Sequence, residues 1–515
     1  MYGNLWGASV YGVEGRLIHV EIDISPGLPQ VTIVGLPDAA IRESIERVRA
    51  AVRNCGWKFP LERITINLAP ADLRKEGTSF DIAMAIGLLC TSGQIPNQPF
   101  EDMLLIGELA LDGSTRAVPG VLSLVDEARR RKFTRVMVPA DNVAEALLVE
   151  GIQVFPLRHL SELREIHSVD DLPIASREAR DRDSSEMKEE ETVARNLEDY
   201  ADVNGQLHVK RALIVAAAGM HNVLLSGPPG TGKTMLIKRL PTILPLLNEA
   251  EALEVSKIYS VSGKWSHYGA GLMMTRPFRS PHHSISAAGL IGGGAIPKPG
   301  EISLAHRGVL FLDELPEFPR QVLEVLRQPL EERSVTIGRA RAVFRFPAHF
   351  MLAASMNPCP CGYAGSRTEE CRCSHGRLEQ YRNKLSGPLL DRIDVQVEVP
   401  RSPISDWSSN NLSSEEMRKQ VMRAQRVQAQ RYEGLNIQFN SELSGSYLKT
   451  YCCLSDNAKN MLQQAYDQLG MSARAHDRLL KLSRTIADIE GSEVIEVAHV
   501  AESIQYRTLD KRNHA

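Results

Sequence analysis

The residues best suited to chemistry form an eight-residue run between a short apolar stretch and a helix-like stretch. The run consists of Gly227, Pro228, Pro229, Gly230, Thr231, Gly232, Lys233 and Thr234. Glycines let backbone N–H groups curl around a phosphate, and the helix that follows turns its positive end toward the anion. Lys233 would reach the β- and γ-phosphates, and the Thr234 hydroxyl would bind Mg²⁺. The pattern predicts a site for ATP and Mg²⁺.

An acidic pair lies downstream, at the end of an apolar run. Residues 309–312 are all apolar, and Asp313 and Glu314 follow them directly. Such a run predicts a buried parallel strand that delivers carboxylates to the sheet edge where ligands bind. We expect Asp313 to bind Mg²⁺, directly or through water, and Glu314 to orient and deprotonate the attacking water. Together with the glycine-rich run, this pair predicts hydrolysis of the nucleotide.

Two further polar residues follow along the chain. The apolar run 351–356 predicts another buried strand, and it ends at Asn357, whose amide can contact the γ-phosphate or position the water. Arg392 ends an apolar turn, where a structural salt bridge would explain it in most contexts. Beside the other motifs, Arg392 resembles the arginine finger that reaches the ATP of a neighbouring subunit. An arginine that acts between subunits predicts a ring.

The C-terminal part is expected to be helical. Capping residues and glycines bound three periodic runs, at 413–432, 456–469 and 472–490. Arg474, at the start of the third run, matches the sensor arginine that AAA+ lid domains direct at the γ-phosphate. Arg478, one turn further on, is the alternative for this role, and a packing or surface role is the expectation for it.

Four of the eight cysteines lie close together as two Cys-x-Cys pairs. They are Cys359, Cys361, Cys371 and Cys373. Four thiolates suit tetrahedral Zn²⁺ and leave no open position for catalysis, so structural zinc is the prediction. A redox-labile cluster without metal and an iron–sulfur cluster are the alternatives. Because the cluster lies between Asn357 and Arg392, we expect it to stiffen the approach to the subunit interface.

Residues 335–346 predict two short strands around a tight turn that carries Arg339 and Arg341. This segment resembles the hairpin that lines the central pore in AAA+ helicases related to magnesium chelatase. Copies of the two arginines around a ring would bind nucleic-acid phosphates without base preference. An ordinary surface hairpin with solvated arginines is the alternative.

The first 167 residues predict a separate α/β or α+β domain. β-type and helix-like runs alternate along it, at 17–24, 30–34, 38–55, 63–68, 80–89, 104–106 and 136–138. Asp38 is placed to cap the first of the helices, and Gly56 is placed to end it.

Two segments of this part, 75–81 and 113–121, resemble the proteolytic domain of Lon proteases. That family has the ribosomal S5 domain 2-like fold and a Ser–Lys dyad, and Ser79 falls where its nucleophile lies. The position that should carry the lysine is Leu122, with Lys75 as a possible substitute base. A serine without a base is a poor nucleophile, so we expect a structural or DNA-binding platform and no protease.

Three central segments, 276–283, 292–294 and 299–308, resemble magnesium-chelatase-type AAA+ ATPases. With the Lon-like part added, nearly the whole chain resembles the YifB/ComM family. The resemblance implies a homohexameric ring that acts on single-stranded or branched DNA. ComM is a helicase that promotes branch migration during natural transformation, and the resemblance implies activity of that kind here.

The expected organisation is an α/β multidomain chain. A Lon-like, ribosomal S5 domain 2-type domain occupies 1–167, and a charged segment at 168–196 is a hydrated linker. An AAA+ P-loop NTPase core with an αβα arrangement occupies 197–400, and a helical lid occupies 401–515.

Composition limits how this chain can contact nucleic acid and which compartment it occupies. With 515 residues and a formal charge of −3, no global basic field indicates nucleic acid, so DNA contact must come from a local patch or an assembled pore. The N-terminal residues lack the features of a signal peptide, and no run of 18 apolar residues predicts a membrane span. A cytoplasmic location without membrane contact is the expectation.

Three other functions stay open at this point. A chelatase-like motor subunit for metal insertion into a tetrapyrrole is disfavoured by the Lon-like domain and the cysteine loop. An ATP-dependent protease is disfavoured by Leu122. An ATP-gated scaffold would require weak hydrolysis, whereas Glu314, Asn357 and Arg392 are all present.

Overall fold

The structure is a computed structural model, and it describes residues 1–176, 198–265, 271–294, 297–339, 342–365, 369–401, 411–468 and 470–507. The described part before residue 177 consists of β1 (Tyr2–Tyr11), β2 (Glu14–Ser25), β3 (Gln30–Val34), α1 (Ala39–Asn54), β4 (Arg63–Ala69), α2 (Asp81–Thr91), β5 (Met103–Leu105), β6 (Glu108–Leu109), β7 (Thr115–Arg116), α3 (Val121–Arg130), β8 (Arg135–Pro139), α4 (Val143–Ala146) and β9 (Gln153–Leu157).

Seven of these strands form one mixed sheet, in the order β3-β4-β2-β1-β5-β8-β9. Burial alternates along β4, where Ile64, Ile66 and Leu68 are fully buried. These side chains share a core with α1 and α2. The Asp38 side chain caps α1 by accepting from the Ile41 N–H at 2.8 Å, as predicted from the sequence.

The start of the predicted linker packs against this sheet. Leu172 is buried in the core of the N-terminal sheet, and the Ala175 N–H donates to the Val154 carbonyl at 2.9 Å. Folded structure therefore continues past the expected limit at residue 167, because an apolar side chain in this segment finds a place in the core. Residues 177–197 lie outside the described part.

The central part is built around a parallel sheet. Its elements are α5 (Leu207–Gly219), β10 (Val223–Ser226), α6 (Lys233–Lys238), α7 (Leu240–Ile243), α8 (Glu249–Ser262), β11 (Phe278–Arg279), α9 (Ala287–Ile291), β12 (Gly292–Gly293), β13 (Lys298–Pro299), α10 (Glu301–Leu304), β14 (Val309–Leu312), α11 (Arg320–Glu324), α12 (Arg327–Glu332), β15 (Ser334–Arg339), β16 (Ala342–Pro347), β17 (Met351–Met356), α13 (His375–Arg382), α14 (Gly387–Leu390) and β18 (Val395–Glu398).

Five strands of this part pair in the order β11-β14-β17-β10-β18, and all four pairings are parallel. Every residue of β10, β14 and β17 is buried. A parallel sheet covered by helices on both faces requires such continuous apolar strands, which explains the apolar runs seen in the sequence.

Helices make up most of the C-terminal part. They are α15 (Ser414–Arg431), α16 (Ser446–Tyr451), α17 (Asp456–Gln468), α18 (Ala473–Glu490) and α19 (Val497–Gln505). Apolar side chains of α15 and α18, including Met417, Val421 and Ile486, share one core with α5. The C-terminal helices therefore pack on the central parallel-sheet part through α5.

Helix α8 joins the N-terminal part to the core. Lys257 of α8 forms an ion pair with Asp126 of α3, and the Gly120 N–H donates to the Ser260 carbonyl at 3.1 Å. Both charged side chains are nearly fully buried. Over the described ranges, we find no helix with the length and apolar character needed to cross a membrane.

Candidate active site

The phosphate loop connects β10 to α6, and its glycines serve different needs. Gly227 packs so closely on β18 that an added Cβ would lie 2.3 Å from the Val399 carbonyl oxygen. Gly230 and Gly232 have positive φ angles of 76° and 82°. Only glycine takes these positions without strain, so the predicted loop conformation follows from the glycine pattern.

Lys233 is buried and its ammonium folds back on the loop. Its Nζ donates to the carbonyls of Gly227 at 2.7 Å and Pro228 at 2.8 Å, and to Asn357 Oδ1 at 3.2 Å. Burial lowers the pKa of Lys233, while the nearby carboxylates of Asp313 and Glu314 act in the opposite direction. The charge therefore lies at the mouth of the loop, beside the amide of Asn357.

The structure brings the two predicted Mg²⁺ ligands together. Thr234 Oγ1 donates to Asp313 Oδ2 at 2.9 Å. Octahedral Mg²⁺ with bonds of about 2.0–2.1 Å holds adjacent oxygen ligands about 2.9 Å apart, so the two oxygens fit the ion without rearrangement. Bound there, Mg²⁺ would neutralise charge on the β- and γ-phosphates.

Glu314 takes a left-handed backbone conformation, with φ at 53°, and its side chain is exposed. Its N–H donates to Ser355 Oγ at 3.3 Å, and the Ser355 hydroxyl donates to Asp313 Oδ1. Sequence reasoning assigned no role to Ser355. The only signal for it was a hydroxyl within an apolar strand, and that signal gains meaning only because β14 and β17 pair.

Asn357 follows β17 at the same sheet edge as the phosphate loop. Its Oδ1 accepts from Lys233, and its backbone N–H faces the Tyr381 hydroxyl on α13 closely enough to oppose the rise in the Tyr381 pKa that burial causes. The Asn357 side chain is thus held beside the Lys233 ammonium, and its contact with a γ-phosphate stays a prediction.

Arg392 lies at the opposite edge of the sheet. The Asn222 side chain donates to the Arg392 carbonyl at 2.7 Å, and Asn222 directly precedes β10, whereas the phosphate loop follows it. A four-residue strand separates the two edges by about 13 Å. Arg392 instead contacts Glu331 and the Pro388 carbonyl of its own chain.

Arg478, the alternative to Arg474 as the predicted sensor arginine, lies on that opposite side as well. Arg478 Nε is 3.5 Å from Asp394 Oδ1, and both residues line a cavity of about 300 Å³ together with Arg392 and Lys481. Burial lowers the pKa of Arg478. Arg474 is exposed one turn earlier on α18. The structure thus groups Arg478 with Arg392 and apart from the chain's own phosphate loop.

The four cysteines converge. Sγ of Cys359 lies 3.2 Å from that of Cys361 and 3.7 Å from that of Cys371, and all four Sγ atoms lie within 4.8 Å of one another. Tetrahedral Zn²⁺ with Zn–S bonds of about 2.3 Å sets its sulfur atoms about 3.8 Å apart. The geometry is therefore compatible with a four-thiolate metal centre, which includes Cys373.

The predicted arginine hairpin is present as β15 and β16. The turn between them includes Arg341, which lies outside the described residues, as does the side chain of Arg339. The N-terminal part contacts this hairpin, because the Tyr11 ring lies 4.7 Å from the Phe344 ring and the Tyr11 hydroxyl donates to the Val343 carbonyl at 3.3 Å.

The Ser79 hydroxyl is hydrogen-bonded to the backbone. Its hydroxyl is buried and donates to the Ala8 carbonyl at 2.7 Å. Leu122 is fully buried, and the Lys75 ammonium donates to the Pro70 carbonyl. Among the described residues, no basic side chain is hydrogen-bonded to the Ser79 hydroxyl. The geometry leaves this serine without activation.

Family models for magnesium chelatase subunit ChlI match three stretches of the chain. The general ChlI model of magnesium chelatase covers residues 199–407, the model of subunit ChlI of Mg-chelatase covers 20–142, and the ChlI C-terminal model covers 411–507. Together these matches span the phosphate loop, the acidic pair and the lid.

Relatives that are similar over nearly the whole chain identify the family more closely. Competence protein ComM of Haemophilus influenzae is 41% identical over 503 residues, which is 97% of this chain and 96% of the relative. The uncharacterized protein YifB of Escherichia coli is 42% identical over 508 residues, with 97% and 96% covered. This chain belongs to the YifB/ComM family.

The YifB/ComM assignment also confirms the predicted fold class. Lon protease 2 of Bacillus subtilis is 26% identical over 180 residues, which is 31% of this chain and 32% of the relative. The chain combines a Lon-like N-terminal domain, an AAA+ P-loop core and a helical C-terminal lid. It is an ATPase of the magnesium-chelatase-like AAA+ type.

Proposed function

We propose that this protein is an ATP-hydrolysing ring motor that acts on single-stranded or branched DNA, with helicase or branch-migration activity of the ComM kind. The observation that best supports a ring is the position of Arg392 at the sheet edge opposite the phosphate loop. One chain therefore presents the two halves of a hydrolytic site on opposite sides. Head-to-tail contact between identical chains joins those halves and closes a ring, and the family implies six chains.

Hydrolysis is the work of residues from two neighbours in this proposal. Lys233 holds the β- and γ-phosphates, and Asn357 positions the γ-phosphate or the water. Glu314, exposed at its strand end, accepts the proton of the attacking water. Arg392 of the adjacent chain leaves Glu331 and compensates charge on the transferring phosphoryl group, and Arg474 approaches from the same side.

Position along the chain and the N-terminal contact support a DNA role for the β15–β16 hairpin. Tyr11 of β1 packs against Phe344 of β16, so the N-terminal domain buttresses the hairpin. Copies of Arg339 and Arg341 around the ring axis would supply the positive charge that the whole chain lacks at a net −3. The Haemophilus relative carries the name competence protein, which fits a DNA substrate.

We also propose that Cys359, Cys361, Cys371 and Cys373 hold a structural Zn²⁺. The support is the spacing of the four Sγ atoms, which approaches that of a tetrahedral tetrathiolate. A reducing cytoplasm, in which such thiols stay free of disulfides, is the compartment that this proposal entails.

The test is the ATPase rate of the full chain with branched DNA, linear DNA, a porphyrin or casein added, and with Lys233→Ala as the blank. We expect stimulation by DNA, and strongest by branched DNA. Stimulation by the porphyrin alone would favour a chelatase motor, and absence of both DNA binding and stimulation would refute the helicase proposal.

A charge-matched comparison tests the hairpin. Arg339→Ala should weaken DNA binding and make it less dependent on salt, whereas Arg63→Ala removes an equal charge from β4 and should leave binding unchanged. Equal effects of the two substitutions would remove the hairpin from the DNA path.

A further inference from the structure

We propose that the four-cysteine loop is a metal-dependent clamp on the phosphate loop, and that the metal thereby sets the affinity for nucleotide. The inference rests on the proposed zinc and ATP sites. It begins from Gly362, which lies between the two cysteine pairs. A Cβ built on Gly362 would lie 2.6 Å from Pro229 Cδ and 3.2 Å from Pro229 Cγ. The cysteine loop and the phosphate loop are thus in direct contact.

The second connection runs through Asn357. Cys359, the buried member of the cluster, lies two residues after this amide. On the far side of the cluster, α13 begins two residues after Cys373 and carries the buried Tyr381, whose hydroxyl faces the Asn357 N–H. Both ends of the cysteine loop therefore lie beside Asn357, the residue that contacts Lys233.

The loop depends on a cross-link for its shape. Cys361, Cys371 and Cys373 are only half-buried, so the loop has little apolar core of its own. Within its described residues, the Gly362 N–H donates to the Cys359 carbonyl at 2.9 Å and the Ala364 N–H to Cys359 Sγ at 3.2 Å. Bonds from four thiolates to one ion would supply most of the order, because metal binding and local folding are one equilibrium in small metal loops.

Loss of the metal would release two restraints on the nucleotide. The wall against Pro229 would relax, and Asn357 would lose its fixed position beside Lys233. We expect the affinity for nucleotide to fall about tenfold, which is a usual size for coupling between linked sites. Linkage is reciprocal, so bound nucleotide must tighten zinc by the same factor.

Two glycines of the loop provide a matched test. Gly362 and Gly365 both have positive φ, 86° and 79°, so alanine strains the backbone similarly at either position. A Cβ on Gly362 would meet Pro229, whereas no atom of the described residues lies within 4 Å of a Cβ on Gly365. We expect Gly362→Ala to keep its zinc and to bind a fluorescent ADP analogue about tenfold more weakly than Gly365→Ala. Equal affinities would overturn the clamp.

Removal of the metal distinguishes failure of the clamp from failure of the zinc-site and ATPase proposals. Cys371→Ser should lose zinc and bind the ADP analogue weakly, while Cys453→Ser, at an exposed cysteine elsewhere, should change neither. Zinc loss with unchanged nucleotide affinity would overturn the clamp and leave the zinc site standing. Wild-type protein without zinc would overturn both, and wild-type protein that binds no nucleotide would overturn the ATPase proposal.

The reciprocal measurement needs no substitution. Transfer of zinc from wild-type protein to a colorimetric chelator is followed with and without ADP. We expect ADP to weaken the transfer, and identical zinc affinity in both conditions would contradict the clamp.

Discussion

At the scale of single residues, hydrogen bonds between the side chains of the candidate site hold its charged and polar groups in place without a ligand. Lys233 and Asn357 share a hydrogen bond, and Thr234 lies 2.9 Å from Asp313, the spacing that adjacent Mg²⁺ ligands adopt. Ser355 adds a third bond that fixes the Asp313 carboxylate. In the proposed mechanism these groups already lie near their working positions, so binding requires little reorganisation, which is the condition for electrostatic stabilisation of a transition state.

Glu314→Gln tests the general base. The substitution keeps size and removes proton acceptance, so kcat for ATP should fall by about 100-fold or more while nucleotide binding persists. Steady-state hydrolysis and binding of the fluorescent analogue measure the two effects. Glu317→Gln, an exposed carboxyl three residues on, is the control. A rate loss of equal size in both variants would remove Glu314 from the chemistry.

Ser79→Ala tests the absence of proteolysis. The Ser79 hydroxyl donates to a backbone carbonyl, and its loss should cost about 1 kcal/mol of stability without changing the ATPase rate. We expect no ATP-dependent casein cleavage by either protein. Cleavage by the wild type that disappears in Ser79→Ala would restore the protease hypothesis.

At the scale of elements, α8 is the helix that connects the N-terminal domain to the core. Its capping box, formed by Asn248 and Glu251, fixes its start. One side of α8 shares a core with the ATPase sheet, and the other presents Lys257 and Ser260 to the N-terminal domain. Motion of the core would therefore reach the N-terminal domain through one rigid helix.

Lys257→Met tests this joint. Lys257 and Asp126 are nearly fully buried, so truncating the cation leaves a carboxylate without its main partner and should cost about 3 kcal/mol. Thermal unfolding and amide exchange of α3 and α8 would report the loss. Adding Asp126→Asn should recover part of it, and simple additivity of the two substitutions would contradict a direct coupling.

The same pair predicts a pH dependence. Burial disfavours the charged form of Asp126, but bonds from Lys257 and Arg129 outweigh it and hold its pKa below the ordinary value. A depressed folded pKa stabilises the protein above the unfolded value, about 3.9, and that contribution disappears as pH falls through the folded value. Lys257→Met should therefore flatten the acid limb of the stability profile.

At the scale of the whole molecule, the chain separates the two halves of its own site. The phosphate loop follows β10, whereas Arg392 and Arg478 lie beyond the other end of the sheet. A single chain cannot bring them together without unfolding the sheet. Assembly is therefore a condition for hydrolysis in the proposed mechanism.

Mixing two inactive variants tests the shared site. Lys233→Ala lacks the phosphate cation, and Arg392→Ala lacks the arginine finger, so each alone should be inactive. In a mixed ring, an Arg392→Ala phosphate loop can face an intact Arg392 on a Lys233→Ala neighbour, and the ATPase rate should partly return. Lys233→Ala mixed with Glu314→Gln is the control, since no interface in that mixture is complete. Activity absent from the first mixture despite ring formation would place Arg392 outside the catalytic interface.

The sequence by itself determined the phosphate loop, the acidic pair, the strand that ends at Asn357 and the helices of the lid. Each of these is a local pattern, in which glycine torsions, continuous apolar runs or capping residues act over a few neighbouring positions. Spacing alone also indicated the four-cysteine cluster, because two close pairs in a short loop have few ways to avoid meeting.

Only the tertiary structure decided which distant residues lie next to each other. Strand pairing brought Ser355 to Asp313, and the path of β10 put Arg392 and Arg478 on the side away from their own phosphate loop. The contact of Gly362 with Pro229 joins residues more than a hundred positions apart. Such contacts depend on strand order and on how helices cover the sheet, and a local pattern carries no information about either.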